Sequence, residues 1–317
     1  MDRPSHLSII IDLSPRRWLQ AQPFSLPQFM SHLLAFLNAH ITAKHENSLA
    51  VFGAFPAKSL MLYSSSDPVT DVPPSDANVF PPFKVVDAAV TQRIMEVLDQ
   101  GGSDMEEPAA LVGALTKALC YINRLTVEAN ATTINSSEAL EPIALPDPRI
   151  LILSVSPDLA SSYIPIMNSI FSAQKLKVTI DACQIAGPEN VFLQQASHLT
   201  GGSYIYAERR DALLQYLTMA LLPPPSVRKT IAVPTQDKID FRATCFCHKN
   251  IVDIGFVCSV CLSIFCQPVP VCSTCRTKFP IKTLQRLNSS RPPTSTRPST
   301  PATLPRSTPA VNGHGSR

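Results

Sequence analysis

Nowhere in the 317 residues does an apolar run approach the ~20 residues of a membrane-spanning helix. The first apolar run, Leu7–Leu13, has strand length and is broken by Ser8 and Asp12. Positions 1–20 lack the charged start and long apolar stretch of a secretory leader, so a soluble, intracellular chain with reduced cysteines is expected. Phosphate-cradling loops are missing as well: there is no Gly-x-x-x-x-Gly-Lys run, and Gly201-Gly202 is a lone pair, too short for a dinucleotide fingerprint. His6, His32, His40, His45 and His198 have no metal-ligand spacing to one another, and His32 and His40, on a predicted helix, read as surface or capping residues. An enzyme reading therefore finds little support, and a non-catalytic chain is expected. The single tryptophan, Trp18, follows Arg16-Arg17 in the predicted loop after the first strand; it either anchors an interface, as exposed Trp and Arg do, or covers the end of its own sheet.

Cysteine, by contrast, is concentrated. Seven of nine cysteines fall between Cys245 and Cys275, in CFCHKNIVDIGFVCSVCLSIFCQPVPVCSTC. Cys258-x2-Cys261 and Cys272-x2-Cys275 have the spacing of two metal knuckles, each turning a pair of thiolates inward, and two such pairs complete the tetrahedron of a structural zinc. Cys245, Cys247, His248 and Cys266 remain and could supply a second, interleaved tetrahedron. With every position taken by protein, no place is left for water, so the zinc is expected to be structural. Metal binding is worth ~10–16 kcal/mol in small fingers, enough to fold a segment that lacks a core. Cys120, on an apolar helix face, and Cys183, just after a strand, read as core packing.

Charge is unevenly spread. Residues 242–287 carry +5, residues 288–317 carry +4, and residues 1–241 carry −6. A basic finger beside an acidic body points to a polyanion or an acidic protein surface as the finger's partner, or to lysines that merely solvate a small domain.

Apolar runs of strand length occur at Leu7–Asp12, Ser48–Phe55, Ser59–Tyr63, Arg149–Val155, Lys177–Ala182 and Ser203–Ala207. Helical periodicity falls between them, at Phe29–Ile41, Val85–Asp99, Pro108–Leu125, Tyr163–Ala173, Asn190–Leu199 and Asp211–Leu222. The alternation predicts an α/β fold with a mostly parallel, helix-covered sheet over residues 1–225. Residues 127–148 read as a polar insertion and 226–241 as a Pro-containing linker, stiff and extended, that holds a zinc-binding domain at 242–287 away from the sheet. From Asn288, 17 of 30 residues are Ser, Thr or Pro, and a disordered tail is expected.

Two stretches carry a resemblance. The strand ending in Asp12-Leu13-Ser14, the ILILSVS strand and the LTGGSYIY segment resemble a von Willebrand factor A domain. The run GFVCSVCLSIFC (255–266) is similar to the finger of one family, the smaller von Willebrand A subunit of the general transcription and DNA-repair factor TFIIH. The resemblance covers about residues 5–285. It implies a von Willebrand A-type sheet with helices on both faces, and a nuclear, non-catalytic core subunit acting in nucleotide excision repair and RNA polymerase II initiation. It further implies pairing with the larger von Willebrand A subunit, which carries a RING-type zinc domain; two contacts with it are expected, one through each domain.

Domains of the von Willebrand A type often hold a divalent cation at Asp-x-Ser-x-Ser, through oxygen ligands. Here the run is Asp12-Leu13-Ser14-Pro15-Arg16, with a fixed cation at the last hydroxyl position. Ser156 replaces the usual acid after the later strand, Asp158 sits two residues on, and Ser103 stands in for a threonine. A degenerate, protein-binding edge is expected rather than a cation-dependent adhesion site. The competing function is sequence-independent nucleic-acid binding through the basic finger, which has few aromatics (Phe246, Phe256, Phe265) to stack on bases.

Overall fold

The computed structural model describes residues 4–67, 80–100, 107–135, 147–231, 239–280, 282, 285 and 286. The chain divides into two compact units, Met1–Asp253 and Ile254–Arg317.

The first unit is built on a six-stranded sheet: β1 (Ser5–Asp12), β2 (Ser48–Ala54), β3 (Ser59–Ser64), β4 (Asp147–Ser154), β5 (Thr179–Gln184) and β6 (Tyr204–Tyr206). Their order is β3-β2-β1-β4-β5-β6. All neighbours are parallel except the β2–β3 pair. β1 lies at the centre, and all of its residues are buried, as a continuous apolar run requires of a strand covered on both faces. Side chains alternate: Leu7, Ile9 and Ile11 join one core and Ile10 the other. The first core is closed by α1 (Pro15–Gln20), α2 (Leu26–Ala43), α3 (Pro81–Asp99) and α7 (Leu213–Tyr216), the second by α4 (Leu111–Asn135), α5 (Tyr163–Lys175) and α6 (Val191–Thr200). The result is the expected α/β arrangement, a mostly parallel sheet with helices on both faces.

Local chemistry fixes the helix ends. Ser25 and Gln28 form a reciprocal capping box at the start of α2. The Asn190 side chain accepts from the Leu193 N–H to open α6. Gly201 closes α6 with φ of 73°, and a Cβ on Gly202 would sit 2.0 Å from the Ile180 carbonyl oxygen, so neither position tolerates a side chain cheaply.

Several expectations are corrected. The helix expected to end at Leu125 runs on into the polar insertion: Val127–Asn135 continue α4, favoured by its Ala and Glu residues and the Arg124–Glu128 pair at 3.8 Å. Cys120 is exposed, because it falls beside the Leu115-Ala118-Leu119-Ile122 stripe that packs on the sheet. His40 is neither a surface nor a capping residue; it is buried and its Nε2 meets the Ser48 carbonyl. Arg16–Trp18 are not loop but lie in α1, a short helix that starts at Pro15. The last helix ends in a wider π-type turn, Leu217–Leu221, and the linker opens with a short helix, α8 (Pro225–Arg228), rather than an extended strand. Residues 136–146, Ser103 and the tail from Asn288 lie outside the described residues.

Two arginines fasten the end of the sheet domain. Buried Arg149 donates to the carbonyls of Leu221, Leu222 and Pro223 at 2.7, 2.7 and 3.2 Å. Arg228 forks onto Asp181 at 2.5 and 2.8 Å and also donates to the carbonyls of Pro223 and Leu221. Carbonyls left free at a helix C-terminus are thereby satisfied, with positive charge at the negative end of the dipole. Further on, Gln195 donates to the Asp240 carbonyl, and the Phe241 ring meets His198 edge-on at 5.4 Å. The chain is therefore tied to the sheet domain at Arg228 and again at Asp240–Phe241.

Candidate metal centres and the sheet edge

Two short hairpins carry the cysteines: β7 (Ala243–Thr244) with β8 (Ile251–Val252) in the first unit, and β9 (Phe256–Val257) with β10 (Ile264–Phe265) in the second. Between β9 and β10 the chain makes a tight turn in which the Cys258 N–H bonds the Ser263 carbonyl and the Leu262 N–H bonds the Cys258 carbonyl. The same pair of bonds recurs at Cys272, with Thr277 and Arg276, and at Cys245, with Asn250 and Lys249. Leu262, Arg276 and Lys249 all have φ of 60°, a left-handed conformation that lets each loop fold back on its ligands.

Cys258, Cys261, Cys272 and Cys275 converge, their sulfurs all within 4.8 Å of one another. Cys258–Cys275 Sγ atoms are 3.7 Å apart and Cys261–Cys272 3.5 Å. Four thiolates at the ordinary zinc–sulfur distance would have edges of about 3.8 Å, so the group fits a zinc tetrathiolate. These separations are far beyond a disulfide bond, and the cysteines are free. The Ser263 hydroxyl, 3.2 Å from the Cys261 sulfur, holds that thiol down at about 6, and the Thr277 hydroxyl, 3.1 Å from the Cys275 sulfur, lowers that one too. The sequence reading missed both hydroxyls. Each lies two residues past its cysteine, where the turn returns the chain toward the sulfur, the place from which an outer-shell partner would orient a metal ligand.

In the first unit, Cys245, Cys247 and His248 come together within 4.8 Å on the turn between β7 and β8. The repeated turn orders them. Cys245 and His248 occupy the first and fourth positions, as Cys258 and Cys261 do, and Cys247 lies between them. Cys183, by contrast, is fully buried in the sheet domain, where burial pushes its thiol up to about 12. It is core packing.

At the carboxyl edge of the sheet, Asp12 is buried and accepts four hydrogen bonds from the chain itself: from the N–H groups of Ser14 (3.2 Å), Val155 (3.1 Å) and Ser156 (2.8 Å) and from the Ser154 hydroxyl (3.4 Å). Burial raises its carboxyl pKa. Asp158 is engaged elsewhere, accepting from the Val191 N–H at 2.6 Å and the Phe192 N–H at 3.4 Å to cap α6; burial pushes its carboxyl up to about 6. The oxygens that a divalent cation would use are thus directed at backbone donors, and the donor set does not fit one. Trp18 is buried and donates its indole N–H to the Asp12 carbonyl at 2.8 Å, which settles its role: it covers its own sheet end. Arg16, Arg17, Ser14, Ser156, Glu107 and Asp158 line a cavity of about 220 Å³ above this edge.

A family model for transcription factor Tfb4 matches residues 4–276, spanning the sheet domain and the cysteine cluster. The chain belongs to the Tfb4 family. One relative, the general transcription and DNA repair factor IIH subunit tfb4 of Schizosaccharomyces pombe, is 40% identical over 293 residues, covering 90% of this chain and 92% of that protein. The Arabidopsis thaliana subunit TFB4 of the same factor is 36% identical, over 88% of this chain and 90% of its own. Among solved structures, the crystal structure of the TFIIH p34 N-terminal domain covers 68% of this chain and 96% of its own, with 32% identity and a TM-score of 0.58. Membership in the Tfb4 family matches the resemblance read from the sequence.

Proposed function

We propose that this chain is a non-catalytic structural subunit of the TFIIH core in the nucleus. It acts there in nucleotide excision repair and in RNA polymerase II transcription initiation. The reading rests on the Tfb4 family match, which runs through both the sheet domain and the finger. Its partner is the larger von Willebrand A subunit with the RING-type domain, held by two contacts, one from the sheet domain (residues 1–225) and one from the finger (242–287), joined by the 226–241 segment. Linked contacts gain from the high effective concentration of the second once the first has formed. Zinc at Cys258, Cys261, Cys272 and Cys275 folds the finger, and a second zinc at Cys245, Cys247, His248 and Cys266 completes it. Both sets have four protein ligands, which supports a structural role for the metal. The sheet edge contributes no cation chemistry, because its carboxylates serve the backbone.

The test is co-expression of the full chain with the larger subunit. A stoichiometric complex that survives purification is expected. Failure to co-purify, together with steeply salt-dependent binding to duplex DNA, would shift the reading to a nucleic-acid binder.

A further inference from the structure

The unit Ile254–Arg317 has an unusual surface. From Ile254 to the end the sequence holds eight Lys and Arg and no Asp or Glu. Its first nine residues nevertheless expose four large aliphatic side chains: Ile254 (75%), Val257 (58%), Val260 (64%) and Leu262 (70%). Three of these, Val257, Val260 and Leu262, lie in or directly beside the turn that carries Cys258 and Cys261.

Leu262 is the telling residue. It occupies the left-handed position of the turn, at φ of 60°. Glycine takes that conformation freely, and any L side chain is strained there. A leucine could offset the strain by burial, but this one is mostly exposed. In the free chain it gains neither in conformation nor in packing. Strain held at an exposed apolar residue is a mark of a contact made elsewhere. The equivalent positions of the other two turns, Lys249 and Arg276, carry cations instead.

We infer that the turn Val257–Leu262 is the docking tip of the finger, and that it seats in an apolar groove of another protein edged by carboxylates. This rests on the reading of the finger as a subunit contact. The groove supplies the burial that Leu262 lacks, and its acidic rim complements Arg276 and Lys278, both exposed, in a unit without a single carboxylate. A nucleic-acid partner fits less well. Bases need exposed aromatic rings, and the described aromatics of this unit are buried (Phe265) or half-buried (Phe256, Phe279).

The experiment uses the full chain and, as probe, the reconstituted TFIIH core assembled without it. Four chains are compared: wild type, Leu262→Gly, Val260→Ser with Leu262→Gly, and Cys258→Ser with Cys261→Ser, whose finger can no longer close. Removing one buried leucine from a contact weakens it about tenfold or more. Leu262→Gly should therefore weaken binding by that factor, while its zinc content stays wild type and the thermal midpoint of the free chain stays level or rises. The double tip variant should weaken it further. If the cysteine variant loses affinity and both tip variants keep it, the finger is a contact but the tip is not, and this inference falls. If the cysteine variant also binds like wild type, the reading of the finger as a subunit contact falls with it. A tip variant that instead loses affinity for duplex DNA, with core binding intact, overturns the choice of a protein groove.

Discussion

Arg228 offers the sharpest test of how the sheet domain is closed. Its side chain is 8% exposed and that of its partner Asp181 is 1% exposed, so both charges are out of water. In Arg228→Ala, Asp181 keeps the Ser203 N–H at 2.9 Å and loses both guanidinium bonds. The carbonyls of Pro223 and Leu221 each lose a donor too. Breaking one side of a buried pair costs ~3–5 kcal/mol. For a domain of this size that is a fall of roughly 6–20 °C in thermal midpoint. Arg149 makes the prediction directional. Burial lowers its pKa to about 10, still leaving it cationic at neutral pH, and the Asp181 carboxylate pulls the other way. Arg228→Ala thus leaves one cation and one anion, whereas Asp181→Ala leaves two cations facing each other. Asp181→Ala should be the more damaging, and Arg228→Met with Asp181→Leu should recover stability relative to Asp181→Ala. Fluorescence of Trp18, the only tryptophan and a buried one in the sheet domain, reports urea unfolding of that domain apart from the finger. A loss below ~1 kcal/mol for Arg228→Ala, the range of an exposed pair, or a milder effect for Asp181→Ala, would refute the reasoning.

Acid should destabilise the sheet domain through two buried histidines. Burial lowers His6 and His40 to about 4, so their unfolded forms take up protons below 6.5 while the folded forms do not. Stability is then lost as pH falls from 6.5 to 4, by about 3 kcal/mol per histidine. Asp158, raised to about 6, works in the opposite sense over part of that range, favouring the fold as pH drops. Replacing both histidines with Asn should flatten the slope of urea midpoint against pH, and an unchanged slope would contradict the assignment. Metal analysis of the purified full chain should give two zinc ions per molecule; Cys261→Ala should remove one and Cys266→Ala the other, and a wild-type content in either variant would disprove that ligand set.

The periodic and apolar parts of the sequence were readable because each segment carries its own burial pattern. The run LSIIID names a central strand whatever surrounds it, and Cys-x2-Cys spacing names a knuckle because two residues are what the turn holds. Features that depend on distant residues were not readable. That Asp12 would be filled by N–H groups of Val155 and Ser156 follows only once β4 lies beside β1. The burial of Trp18 needs the Asp12 carbonyl to be within reach, and the helical course of Pro225–Arg228 needs Asp181 as an anchor. The match between the turns at Cys245 and Cys258 was also open to counting: His248 stands three residues after Cys245, as Cys261 does after Cys258.

The four donors around Asp12 have a consequence for how assembly can be controlled. A hard divalent cation, held by oxygen ligands, can draw two loops together. Here the Asp12 carboxylate joins Ser14, after β1, to Val155 and Ser156, after β4, through hydrogen bonds alone. On the proposed reading of this face as a subunit contact, added calcium or magnesium should leave its affinity unchanged. A chelator added to the proposed assembly should therefore act through the cysteine clusters alone, with the sheet edge as the built-in control.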